Sequence, residues 1–125
     1  MNKITSTEAP APGGPYSQAV VAGDLAFLAG QGPFDAQGQR VGDSFADQVR
    51  ATFQNLETVA QAAGSTLHNA VRLGAYLRSL DDFPVFNEIA REYLSEPFPA
   101  RTTIEVALRG FDIELDAVVV VVANN

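Results

Sequence analysis

Cysteine is absent from all 125 residues, which removes disulfides, thiolate catalysis and sulfur-ligated metals together. Histidine occurs once, as His68 beside Asn69 in a polar stretch, and reads as a solvated loop residue rather than a base or ligand. No cluster of His, Asp and Glu has metal spacing, so no metal is expected. Basic side chains are scarce: 8 Lys and Arg stand against 15 Asp and Glu, for a net charge of −7 and a pI of about 4.4. Such a field repels phosphate backbones, and nucleic acid is not an expected partner. Long apolar runs are missing as well. The longest, Ala117 to Ala123, is far too short to span a bilayer, and Met1-Asn2-Lys3-Ile4-Thr5-Ser6 carries no apolar segment. No membrane partner is expected, and the cytoplasm is the default location.

What is present is an ordinary globular composition. With 46% hydrophobic and 18% charged residues, the chain is expected to fold as one domain over residues 1–125. Lys3-Ile4-Thr5 suits a short edge strand, and the Pro and Gly density from Glu8 to Pro15 marks an irregular loop. Ser17 to Val21 and Leu25 to Gln31 read as a hairpin turning at Ala22-Gly23-Asp24, with a further turn at Asp35 to Gly38. Ser44 opens a helix, with Asp47 three residues on and Gly64 as its stop. Phe45, Val49, Phe53, Leu56, Ala60 and Ala63 give that helix one apolar stripe.

Val71, Leu73, Ala75 and Leu77 alternate with polar or small residues as a strand with one buried face. Asp82 is expected to cap a second helix, with Pro84 in its first turn, an inner side of Phe86, Ile89, Ala90, Tyr93 and Leu94, and an end near Ser95. Strands Ala100 to Leu108 and Asp112 to Val122 follow, separated by Arg109-Gly110-Phe111. The run Val118 to Val122 is apolar on both faces, which places the last strand centrally. The order β, β, β, α, β, α, β, β implies an α+β fold. Two helices cover only one face of a six-strand sheet, so oligomerisation should bury the other.

The stretch with most chemical character is Phe98-Pro99-Ala100-Arg101-Thr102-Thr103-Ile104-Glu105-Val106. Pro97 and Pro99 force an extended approach to the strand that Arg101 opens. Alternation puts Arg101, Thr103 and Glu105 on a polar face, with Thr102, Ile104, Val106 and Leu108 on a face expected to be mostly core. An arginine there is either an ion-pair partner or an anion clamp, its planar fork suiting a carboxylate bidentately. On the last strand Glu114, Asp116 and Val118 share a face. If the two strands pair antiparallel through the short turn, Arg101, Glu105, Glu114 and Asp116 could form nothing more than an ion-pair ladder. Gly30 interrupts a strand pattern and suggests a bulge or a close backbone approach to a ligand. Tyr16 reads as a core or interface aromatic.

Gly14-Pro15-Tyr16-Ser17-Gln18, Ala29-Gly30-Gln31, Asn87-Glu88, Pro99 to Val106 and Ile113-Glu114-Leu115-Asp116-Ala117 together resemble the RidA/YjgF family of enamine/imine deaminases nearly end to end. The resemblance implies a chorismate-mutase-like α+β domain, a mixed six-strand sheet with two helices on one face. It also implies a homotrimer with sheets facing inward and sites in the clefts between subunits. The implied activity is that of a 2-iminobutanoate/2-iminopropanoate deaminase, hydrolysing intermediates such as 2-aminoacrylate to 2-keto acids and ammonia without a cofactor.

By the same resemblance Arg101 holds the substrate carboxylate, Glu114 orients or activates water and Tyr16 lines the pocket. Thr103 offers its carbonyl to the imino nitrogen, while Asn87, Gly30 and Gln31 border the cleft. The residue types suit this chemistry: an imine is already electrophilic, so an anchored acid, a placed water and a proton acceptor suffice. One departure stands out. Ala29 occupies a position where many such deaminases carry serine, which favours a rival reading as a non-catalytic carboxylate-binding or chaperone-like trimer. A third reading, endoribonuclease or translation inhibitor, is opposed by the acidic balance and the lack of a histidine base.

Overall fold

The computed structural model describes residues 1–121. Six strands, β1 (Asn2–Ile4), β2 (Ala19–Ala22), β3 (Leu25–Gln31), β4 (Ala70–Leu77), β5 (Ala100–Glu105) and β6 (Ile113–Val120), form one mixed sheet in the order β1-β2-β3-β6-β4-β5. Only β4 and β5 run parallel; every other pairing is antiparallel. Helices α1 (Phe45–Ala62) and α2 (Phe83–Tyr93) cover one face. The fold is thus the expected α+β arrangement, and Val122, the last residue of the expected final strand, lies outside the described residues.

Local chemistry accounts for the elements. The Ser44 hydroxyl accepts from Asp47 N–H at 3.1 Å, and Gly64 at φ +83° lets Ser65 N–H return to the Ala60 carbonyl. The apolar stripe of α1 lies against β3 and β6, with Val49, Phe53, Leu56 and Ala60 wholly buried. Phe53 stacks between Phe86 at 6.0 Å and Tyr93 at 4.7 Å, tying α1 to α2. Asp82 departs from expectation. It ends a short 3-10 turn, Leu80–Asp82, capped by Ser79, and makes no side-chain cap hydrogen bond to α2. The preceding turn already directs the chain into the helix, with Pro84 in the first turn tolerated for want of an N–H partner.

β6 is central, between β3 and β4, as its valine run implied. Ile113, Leu115, Ala117 and Val119 are buried under the helices, while Glu114, Asp116, Val118 and Val120 are half-buried on the open face. The conditional pairing of the Arg101 strand with the last strand does not occur, because β4 separates β5 from β6. No ladder can therefore join Arg101 to Glu114. The faces of β5 are also opposite to expectation. Arg101, Thr103 and Glu105 are in register with Leu73, Ala75 and Leu77 on the helix side, whereas Ile104 is 43% exposed on the open face. β5 is an edge strand whose inner side meets the start of α2, where polar groups can be accommodated. On the same face, across β6 and β4, Phe27 of β3 is 48% exposed, so the open face carries large apolar side chains that one chain leaves uncovered.

Candidate active site

Arg101 is the second residue of β5, and its guanidinium lies over two rings of α2, 5.3 Å from the centroids of both Phe83 and Phe86. Phe83 and Phe86 are one turn apart, so a single helix edge presents both rings to the strand. Such stacking holds the planar fork while leaving its N–H edge free, each contact contributing about 0.5–1 kcal/mol at a partly exposed site. Desolvation holds the pKa below the usual arginine value. Among the described residues no carboxylate pairs with Arg101; the arginine ion pairs there are Arg50–Glu92 at 3.2 Å and Arg78–Asp112 at 3.7 Å. Arg101 instead lines a cavity of about 430 Å³ with Asn87, Ala90, Arg91, Leu94, Phe98 and Pro99. Asn87 Oδ1 and Thr103 Oγ1 are buried and unpaired, two hydrogen-bonding positions on elements flanking that arginine.

Glu114 belongs to the other face. It stands opposite Tyr76 of β4, and its side chain packs over Gly30, so closely that a Cβ at position 30 would lie 2.7 Å from Oε2. Gly30 falls in a break of register between Leu28 and Gln31, the bulge that its position in the strand suggested. Burial raises the Glu114 pKa above the ordinary glutamate value, and the Asp116 carboxylate adds to the effect. Asp116 accepts a hydrogen bond from Tyr76 Oη at 2.9 Å, and that bond raises the tyrosine pKa.

The residues singled out from the sequence therefore fall into two groups within one chain. Arg101, Thr103 and Asn87 gather on the helix side, and Glu114 and Gly30 on the open side. Gln31 is 7% exposed and in register with buried Leu115, so its side chain belongs to the core side. Tyr16 is exposed in the loop before β2, where Gly13 N–H donates to its hydroxyl at 3.1 Å. His68 is an exposed residue with Nδ1 3.3 Å from Ser95 Oγ. Arg91 in the cavity, Phe83 under Arg101, and Asp116 beside Glu114 on the open face were not singled out as site residues; the i, i+3 spacing of Phe83 and Phe86 ahead of the Pro-Ala-Arg strand was the available signal. Among the described residues no group of three or more His, Cys, Asp or Glu could hold a metal ion, and no helix is long and apolar enough to cross a membrane.

The model of the family described as endoribonuclease L-PSP matches residues 6–121. A RutC family protein of Pyrococcus horikoshii is 39% identical, over 94% of this chain and 97% of its own. A 2-iminobutanoate/2-iminopropanoate deaminase of Dermatophagoides farinae is 33% identical over 94% of each chain. The crystal structure of Escherichia coli TdcF with bound serine superposes with a TM-score of 0.88 at 25% identity, covering 96% of this chain and 98% of that one. The fold and the matched span agree, and the chain belongs to the endoribonuclease L-PSP family, that of the RidA and YjgF proteins.

Proposed function

We propose that this protein is a 2-iminobutanoate/2-iminopropanoate deaminase, hydrolysing short-lived enamines and imines such as 2-aminoacrylate to 2-keto acids and ammonia. The observation that carries the reading is Arg101. A guanidinium held over two rings at a cavity, with no carboxylate partner among the described residues, suits a small organic acid bidentately. The serine bound by the TdcF relative is an acid of that size. With the substrate carboxylate on Arg101, the water oxygen bonds to the imino carbon while Glu114 takes one water proton and passes it to the nitrogen; the hydroxyl proton of the resulting carbinolamine then follows through Glu114 to the nitrogen as the carbon–nitrogen bond breaks and ammonia departs. A carboxylate with a raised pKa is a better proton acceptor than an ordinary one, and no electrons are exchanged with any co-reactant.

Arg101 and Glu114 face opposite sides of one sheet, so both reach a single substrate only if a second copy supplies one of them. The uncovered face bearing Phe27 and Ile104 supports such an assembly, which we take to be a homotrimer. Tyr16, in its exposed loop, and the main chain at Gly30 and Gln31 then line the cleft between copies. The single domain over residues 1–125 acts in the cytoplasm on a small-molecule substrate, with no nucleic acid or membrane partner.

The test generates the enamine in a cuvette with a serine or threonine dehydratase and follows keto-acid formation. Wild-type protein is expected to accelerate it and Arg101→Ala to lose the acceleration, with Arg101→Lys failing to restore it because a point charge lacks the fork. Full activity of Arg101→Ala in an intact oligomer sinks the reading. Ala29 supports a second reading, a trimer that binds small carboxylates without turnover; tight binding with no acceleration would establish it.

A further inference from the structure

The Arg101 cavity holds a second arginine that the mechanism does not use. Arg91 follows Asn87 by one turn of α2, and its guanidinium lies 5.9 Å from the Phe98 centroid at the cavity wall. Among the described residues it joins no ion pair, and no carboxylate lines the cavity. Two guanidiniums thus share one cavity in a chain whose acidic side chains outnumber the basic ones 15 to 8, and the local field is opposite in sign to that of the whole molecule. A monocarboxylate neutralises one of them. A dicarboxylate neutralises both.

The remaining lining suits what lies between two carboxylates. Ala90, Leu94, Phe98 and Pro99 offer apolar contact to a short methylene chain, and about 430 Å³ admits a small organic acid with room to spare. Asn87 Oδ1, buried and unpaired, is an acceptor for an N–H, as an imino or enamine nitrogen provides.

We propose that Arg91 is a specificity-determining residue and that the preferred substrate class is a 2-imino dicarboxylate, its 2-carboxylate on Arg101 and its distal carboxylate on Arg91. The proposal rests on the reading of Arg101 as a carboxylate clamp. The chemistry is unchanged: water oxygen bonds to the imino carbon, the carbon–nitrogen bond breaks, and a 2-keto dicarboxylate and ammonia leave. The reaction that supplies such a substrate is the oxidation of an acidic amino acid at its amine.

Two measurements separate this proposal from the deaminase reading. In the first, oxaloacetate and pyruvate, stable products of the two substrate classes, are titrated into wild-type protein and Arg91→Gln, with the mass of both in solution determined by light scattering. Oxaloacetate is expected to bind at least about tenfold tighter than pyruvate, since a second charge-assisted pair forms, and the ratio is expected to fall to near one in Arg91→Gln at unchanged mass. A ratio near one in the wild type, a ratio that Arg91→Gln does not alter, or dissociation of the Arg91→Gln oligomer would overturn the proposal, the last by assigning Arg91 to a subunit contact. In the second, an amino-acid oxidase releases imines from aspartate or alanine while semicarbazide traps what remains unhydrolysed. Preferential loss of the aspartate-derived adduct supports the proposal. If neither adduct falls, the deaminase reading fails, and the binding ratio still decides the role of Arg91.

Discussion

Gly30 and Glu114 are fitted to each other across the junction of β3 and β6: the space a side chain would need at position 30 is filled by the glutamate, with Oε2 2.7 Å from an ideal Cβ position. The glutamate tip can move aside while the bulged backbone stays. Gly30→Ala is therefore expected to melt close to wild type and to lose deaminase activity about tenfold or more, because a base displaced by an ångström no longer meets its water. Thermal melts and keto-acid kinetics on the same preparation check both halves.

The environment of Glu114 also fixes a pH dependence. Burial is the larger cause of its raised pKa and the Asp116 carboxylate the smaller one, while Tyr76 faces it from β4. The base works ionised, so kcat/KM should fall as pH drops through that raised pKa. Asp116→Asn removes the charge contribution and leaves burial, so the acid limb should shift to lower pH without reaching an ordinary glutamate value. Stability runs the other way. A carboxyl whose folded pKa is raised keeps its proton where the unfolded chain has lost it, so its contribution to stability falls as pH rises through that interval. Glu114→Gln is accordingly expected to melt no lower than wild type at neutral pH while losing roughly 10²-fold or more in rate.

Gln48 is a buried polar hinge between α1 and the entrance to β6. It is 2% exposed, its Oε1 accepts from Asp112 N–H at 2.8 Å, and its Nε2 donates to the Gly42 carbonyl at 3.2 Å. Gln48→Leu strands the Asp112 N–H, while the Gly42 carbonyl keeps its second donor, Arg40 Nη1 at 2.6 Å, and should cost about 2 kcal/mol, or roughly 8 °C in Tm for a chain of this size. Calorimetry tests the cost directly, and a loss below about 0.5 kcal/mol would show that solvent replaces both bonds.

Local signals in the sequence carried a good part of this fold. The Leu25–Gln31 strand matches to the residue, and α1 begins and ends at the cap and glycine that mark it, because those signals lie within one turn of the backbone they govern. The position of β5 was not legible. Arg109-Gly110-Phe111 looks like a hairpin turn, yet β5 stops at Glu105, Val106 N–H bonds to the Leu77 carbonyl, and the chain crosses to place β6 on the far side of β4. Strand neighbours are chosen by the burial of whole faces, which no short window contains.

The site shows the same division. Arg101 and Glu114 were identifiable by residue type and motif, but their placement on opposite faces depends on the registers of two strand pairs with β4. The exposure of Val71, where alternation assigns it to the core, has a similar origin. A shift of register between Ala70 and Arg72 buries Ala70 in its place.

The sheet order sets a schedule for the chain as it is made. β1-β2-β3 and β4-β5 are two separate ribbons until β6, residues 113–120, enters between them and pairs with both. A nascent chain that has reached Asp112 thus has two half-sheets with open inner edges and no strand to join them, and its α1 lacks the β6 surface on which it packs. Folding of the whole sheet waits for the last of the described strands to leave the ribosome.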